Sequence, residues 1–373
     1  MNIEQKGSLL RSNPFTWADG AMIDIDRNFL KEATGKMAAP VVRELIFHAQ
    51  LQVTGVTATL LAKDAHKVFN RIQVGDRGGM LFDCSGSTAR IIEQLEAGAA
   101  YDEPNNGTAL ASAATSAVYD VFSRVIFDTP KSHRGADTAL PLNHLMDGGI
   151  IRVRCGTPPG CTMTGATIKV YALVHDERKP ELKSRQVWNE FSITKAEDNY
   201  SIGGSLRAAF ITSNLATTGY TALSTQTATV TSKTLNMFDL DQNILRAEYK
   251  RLVGPQARIM AGDTVDAFLN SLTTPDAVAL LSPSSGQHIG KLPDLSTLHA
   301  KLVSAPTSGV MVTCKIEDRN ADLAAEWMGY DNVNDFLAAF NARGVVGRKG
   351  ESSQSIHDWN PHLFRRLPGW IRD

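Results

Sequence analysis

LFDCSGSTARIIEQLEAG, residues 81–98, and MFDLDQNILRAEYKRLVG, residues 237–254, are the two stretches that decide the fold. Laid side by side, Phe82 and Asp83 fall on Phe238 and Asp239, Arg90 on Arg246, and Gly98 on Gly254. Ser85 falls on Asp241. Both residue types cap helices, because a short side-chain oxygen accepts from the free N–H groups of a first turn. Two further landmarks follow in the same order. Leu140-Pro141 matches Leu292-Pro293, and Ile168–Arg178 (IKVYALVHDER) matches Val310–Arg319 (VMVTCKIEDR). The offset falls from 156 to 152 to 142, as it does when a second copy carries shorter loops. The chain therefore reads as a tandem duplication.

What is duplicated is rich in β pattern. Leu45, Phe47, Ala49, Leu51 and Val53 alternate with Ile46, His48, Gln50 and Gln52, the period of a half-buried strand. Val56 to Ala62 and Phe69 to Val74 continue as β-rich runs, and Gly75-Asp76-Arg77-Gly78-Gly79 supplies a glycine-loaded hairpin turn. Met80-Leu81-Phe82 restarts a strand, Ser85 offers an N-cap, and Thr88 to Ala97 reads as a short helix. Tyr119 to Phe127 and Ile168 to Val174 alternate cleanly again. After the charged run Asp176–Arg185, strands are expected over Val187–Thr194 and Leu206–Thr212, with a strand pair in Ala222–Thr234. A helix is expected across Ile244–Leu252, and Val310 to Ile316 closes the copy as a strand. Ala321–Asn341 is the most helical stretch, with Leu323, Trp327, Phe336, Leu337 and Phe340 as its apolar positions.

These patterns imply a mainly β protein: two tandem jelly-roll β-barrels with short helices, an N-terminal arm and a partly helical C-terminal tail. The expected boundaries are an arm over 1–40, a first jelly roll over 41–178, a second over 187–320, and a helical segment and tail over 321–373. In the arm, Phe15, Trp17, Ile23, Ile25, Phe29 and Leu30 are scattered without a sustained period.

Bulk composition removes several function classes. The chain holds 38 basic and 39 acidic residues, a formal charge of −1. Backbone binding to nucleic acid draws on a basic surplus, and there is none, so sequence-specific nucleic-acid binding is not expected. The apolar share of 43% and charged share of 21% are those of a globular protein with buried cores. No apolar run approaches the length of a spanning helix or a signal peptide, so synthesis and folding in the cytoplasm are expected.

The chemical motifs weaken on inspection. Asp83 to Thr88 sits like a phosphate loop at a helix start, but it lacks a lysine, and its copy places Asp241 there. Cys84 has no local histidine base, and Leu240 stands at its counterpart. Cys155 and Cys161 flank a small loop, and their bonding is left open by the sequence. His133, His144, His357 and His362 are not at metal-ligand spacing. Asp198, Asp239, Asp241, Asp318 and Asp322 lie near loops without a calcium-loop pattern. Trp359, Phe364, Arg365, Arg366, Trp370 and Arg372 make a basic, aromatic tail that suits either an anchor or a strap over its own subunit. No catalytic, cofactor-binding or metal-binding residue is nominated, no cofactor is expected, and the chain is read as a non-enzyme.

The first module carries a more specific likeness. A strand ending near Val74, then Leu81-Phe82-Asp83-Cys84-Ser85-Gly86 and a short helix, resembles a passage in the double jelly-roll major capsid proteins of tailless, membrane-containing icosahedral phages. Asp137-Thr138-Ala139-Leu140-Pro141 resembles their approach to the next strand. The resemblance implies a structural virion protein made in the host cytoplasm. It implies homotrimers of pseudo-hexameric shape that meet neighbouring capsomers and penton or minor capsid proteins, over a shell that can enclose a lipid membrane. The competing expectations are a receptor- or carbohydrate-binding β-sandwich spike and a two-domain β-rich hydrolase. The hydrolase would need an acid–base pair that the sequence does not offer.

Overall fold

The computed structural model describes residues 7–33, 37, 40–57, 62–97, 116–127, 138–176, 184–201, 204–213, 225–232, 235–241, 277–281, 291–292, 296–302 and 309–318. The first ten strands are β1 (Gly7–Arg11), β2 (Phe15–Thr16), β3 (Met22–Asp24), β4 (Pro40–Val56), β5 (Phe69–Asp76), β6 (Gly79–Cys84), β7 (Ala117–Ile126), β8 (Leu140–Pro141), β9 (Ile150–Cys155) and β10 (Cys161–Asp176). Helices α1 (Ala62–Ala65), α2 (Gly86–Ala97) and α3 (Leu142–Met146) lie between them. The second set is β11 (Ser184–Ile193), β12 (Glu197–Ser201), β13 (Gly204–Ser213), β14 (Thr225–Ser232), β15 (Leu235–Asp241), β16 (Ala277–Leu281), β17 (Lys291–Leu292), β18 (Ser296–Leu302) and β19 (Gly309–Asp318).

Setting aside the two-residue strands, each set holds eight strands with one connectivity. The first makes the rows β1-β10-β4-β7 and β3-β9-β5-β6, and the second makes β11-β19-β13-β16 and β12-β18-β14-β15. Numbered within its own set, each row pair runs 1-8-3-6 and 2-7-4-5, which is the jelly-roll order. The inward positions of β4 and β10 are Leu45, Phe47, Ala49, Leu51, Val53, Ile168, Val170, Ala172 and Val174, all buried. Across the first barrel Phe47 meets Phe69 edge-on, with ring centroids 6.3 Å apart. The period-two reading of both segments places their core faces correctly.

The N-terminal segment is not a free arm. β1 pairs with β10 from Gly7↔His175 to Arg11↔Tyr171, and β3 pairs with β9 from Met22↔Arg154 to Asp24↔Arg152. These strands are the first and second of the first jelly roll, so that barrel begins at Gly7 rather than at residue 41. Ile25 and Leu30 are buried, and Phe15, Trp17, Ile23 and Phe29 pack against the same core. Trp17 Nε1 donates to the Gly156 carbonyl at 3.0 Å, and the Arg27 guanidinium donates to the carbonyls of Leu145, Met146 and Gly149. The segment escaped detection because β2 and β3 have two and three residues, too short to show any period.

Smaller differences have similar causes. Val56 ends the 17-residue strand β4 and Ala62 starts α1, so the described residues of the Val56–Ala62 run hold no separate strand. Ala222–Thr234 contributes one strand, β14, whose antiparallel neighbours are β15 and β18. The expected helix over Ile244–Leu252, the segment from 321 onward and the charged residues 177–183 lie outside the described residues.

The duplication is written in backbone register. Val74 pairs with Phe82, and Val230 with Phe238, each partner displaced by the same 156 residues. Both hairpins slip by one residue at the same step, Val74/Gly75 and Val230/Thr231. A second irregularity also repeats, between Phe69 and Arg71 against β9 and between Thr225 and Thr227 against β18. The two-residue strands β8 and β17 occupy one place, pairing with Val41–Val42 of β4 and Gly204–Ser205 of β13. The ladders match Leu140 to Lys291, one residue short of the sequence alignment to Leu292.

Candidate functional site

The two jelly rolls are joined edge to edge. β11, the first strand of the second barrel, runs parallel to β6 of the first, with Trp188 opposite Phe82 and Asn189 opposite Asp83. This fuses two four-strand rows into one continuous sheet that crosses the module boundary. Trp188 is 2% exposed, and its indole N–H reaches Gln186 Oε1 at 3.2 Å. Burying a tryptophan here removes a large apolar area from water and makes it the anchor of the seam.

Charged groups from β11 grip the first module at three points. At one end Arg185 Nη1 lies 3.1 Å from Asp76 Oδ1, and that same carboxylate oxygen accepts from Gly78 N in the hairpin turn. In the middle Arg71 Nε lies 2.6 Å from Asp83 Oδ1, and Arg71 Nη2 donates to the Glu190 carbonyl at 3.2 Å. Burial works against the Arg71 charge, yet the Asp83 hydrogen bond and the charges of Asp83 and Glu190 hold its pKa above the ordinary value. At the far end Glu190 Oε2 accepts from Ser85 N at 2.9 Å and from Ser85 Oγ at 3.0 Å.

Ser85 is the cap of α2, as its residue type implies. Its Oγ accepts from Thr88 N at 3.2 Å, and its carbonyl accepts from Ala89 N at 2.8 Å. The phosphate-loop alternative fails for a physical reason: the Glu190 carboxylate already stands against this helix start. Gly86 is required by close approach, since a Cβ there would stand 2.4 Å from the His66 carbonyl oxygen. The stretch that looks most enzyme-like is thus the socket into which the second module's first strand plugs.

The other sequence candidates do not converge. Cys84 is fully buried beside this socket, and burial, with Glu190 adding, pushes its thiol well above the usual range. Burial likewise raises Cys155 and Cys161, and all four cysteines are free. His144 is buried in α3, while Asp198 lies on β12, Asp239 and Asp241 on β15, and Asp318 at the end of β19. Asp198 accepts from Asn199 N, which lowers its pKa. His133, Asp322, His357, His362 and the Trp359–Arg372 tail lie outside the described residues. Among the described residues no group of three or more His, Cys, Asp or Glu side chains is placed to hold a metal ion, and no helix is long and apolar enough to cross a membrane. Sequence reading passed over Arg185, Trp188 and Glu190, because a strand with alternating polarity gives no sign that its polar side faces another module.

The sequence matches no family model and no curated protein. Solved structures are another matter. The crystal structure of the STIV MCP matches at 13% identity and TM-score 0.54, covering 83% of this chain and 96% of that one. A structure of Sulfolobus Turreted Icosahedral Virus matches at 11% identity and TM-score 0.54, covering 89% and 97%. The chain has the double jelly-roll fold of these capsid proteins. A quasi-atomic structure of the PBCV-1 virus capsid, at 10% identity and TM-score 0.50, covers 85% of this double jelly roll and 95% of its own chain.

Proposed function

We propose that this double jelly roll is a major capsid protein, built into the virion as homotrimers of pseudo-hexameric shape that tile an icosahedral shell. The observation that carries this reading is the repeated strand order across both barrels, matched over nearly the full length of viral coat proteins. Two similar barrels in one chain make six similar lobes from three chains, so a threefold ring presents a near-hexagonal outline that packs without gaps. A tile needs contact surfaces rather than a reaction centre, and no enzymatic role is assigned. Its partners are further copies of itself, neighbouring capsomers and the penton or minor proteins that close the vertices.

A spike with glycan-binding loops would favour exposed loop aromatics. Among the described residues the exposed large apolar side chains are Leu9, Met22 and Val118, all on strands. Light scattering of the purified protein, followed by negative-stain microscopy, tests the reading. Three chain masses and hexagonal particles are expected; a monomer that binds glycans would overturn it.

A further inference from the structure

The seam inside the chain uses two edges, and the duplication leaves their counterparts over. β6, fifth strand of the first jelly roll, is paired along its outer edge by β11, first strand of the second. The equivalent pair is β15, fifth strand of the second barrel, and β1, first strand of the first barrel. Among the described residues β15 pairs only with β14, and β1 only with β10, so each ends its row. Open edges of this kind are ordinarily blunted or covered.

We propose that β15 of one copy takes β1 of a second copy as its parallel neighbour, repeating between chains the joint that β6 and β11 make within one. This extension rests on the coat-protein reading above and names the surfaces that reading leaves unassigned. Register fixes the contacts. Phe82 and Asp83 correspond to Phe238 and Asp239, through the shared pairings with Val74/Gln73 and Val230/Thr229. Leu10 pairs with Ala172, and Trp188 with Cys314, which sit at matching places on the two eighth strands, so Leu10 corresponds to Trp188 and Arg11 to Asn189. The inferred joint therefore sets Leu10 opposite Phe238 and Arg11 opposite Asp239.

The substitutions between the two copies fit this exchange of partners. Within the chain Asp83 is neutralised by Arg71 on the neighbouring strand, and its opposite number across the seam is the neutral Asn189. In the second copy the position of Arg71 is taken by Thr227, which carries no charge. The cation then comes from across the joint: Arg11 is exposed at the place of Asn189. Each acidic position meets one cation, from its own barrel in the first case and from the neighbouring copy in the second. Leu9, 59% exposed on β1, adds apolar surface beside this edge. Because the two surfaces differ, the contact is head-to-tail and closes only as a ring.

Cross-linking in the full-length protein tests this. Opposed Cα atoms on paired strands lie within disulfide reach, so Arg11→Cys with Asp239→Cys should form, under mild oxidation, ladders of two and three chain masses that reductant collapses. The single variants should stay at one chain mass. As a check that does not rely on cysteine, Arg11→Glu should shift the oligomer to monomer at dilutions where the parent holds together, and Arg11→Glu with Asp239→Arg should restore it. Circular dichroism monitors folding in each case. An oligomer of three chain masses with no cross-link, and with no effect of the charge reversal, would overturn the joint while leaving the coat-protein reading intact. Cross-linked ladders running well beyond three chains would support the joint and remove the closed trimer. A parent protein that is monomeric at every concentration would overturn both.

Discussion

The hairpins β5–β6 and β14–β15 have one backbone and two chemistries. They share register, turn length and the positions of both irregularities. Arg71 in the first is Thr227 in the second, Ser85 is Asp241, and Gly86, pressed against the His66 carbonyl, corresponds to Gln242. The difference teaches which features of a duplicated barrel are architectural and which answer to a neighbour. Strand order and ladder slips set the barrel, so both copies keep them. The side chains at the edge follow whatever lies across it, and they diverge.

Four measurements would break or sharpen that comparison. The largest effect belongs to Trp188→Ala, which empties the anchor of the seam and should lower stability by about 4 kcal/mol in urea denaturation, the usual cost of truncating a buried aromatic. Leu10→Ala at the corresponding place should cost less in the isolated chain; equal costs would mean that the seam adds nothing to a residue's burial. Next comes Glu190→Ala, expected at about 3 kcal/mol, because Ser85 loses its buried acceptor and Arg71 a charge partner. A shift near zero would show that the modules are held by apolar contact alone. Ser85→Ala should cost about 1 kcal/mol as a lost helix cap. Asp241→Ala should match it if capping is what the two copies share, and a neutral result at Asp241 would end that equivalence.

The smallest effect is in pH. Burial raises the Glu44 carboxyl above its usual value, although the Arg124 guanidinium 3.0 Å away opposes the shift. The folded state thus holds this proton more firmly than the unfolded chain does. Its contribution is complete below about 4.5, the ordinary value, and disappears as pH rises through the folded pKa. The ladder position in the second barrel is Leu206, which does not titrate. Glu44→Gln should flatten the acid-side stability curve, and an unchanged curve would place the titration elsewhere.

Much of this was legible in the sequence. Long strands such as β4 and β10 showed their period because one face is core over many residues. The Phe82-Asp83 and Phe238-Asp239 landmarks proved to be the same strand of the two barrels, and Ile168 and Val310 proved to start matching runs on the closing strands. What stayed hidden was short or depended on distant partners. β1 and β3 have five and three residues and become strands only because β10 and β9 present open edges to them. β16 and β18 likewise went unread, since five apolar residues in a row and seven of mixed polarity both lack a decisive alternation. The seam was invisible for a further reason. Glu190 reads as a solvent-facing residue on its own strand, and only the parallel approach of β6 turns it inward.

That parallel approach also has a timing. The edge of β6 is complete at Cys84, while the strand that covers it starts at Ser184. At ordinary synthesis rates of roughly 5–20 residues per second, the intervening hundred or so residues take about 5–20 s to emerge. Throughout that interval the β5–β6 hairpin, and at its end the newly completed first barrel, presents an open strand edge to every other copy being made nearby. A wrong parallel partner, supplied in trans by another chain's β11, would satisfy the same hydrogen bonds. Rapid expression of such a protein therefore carries a specific hazard of strand exchange between chains, and slowing elongation after residue 84 would make it worse rather than better.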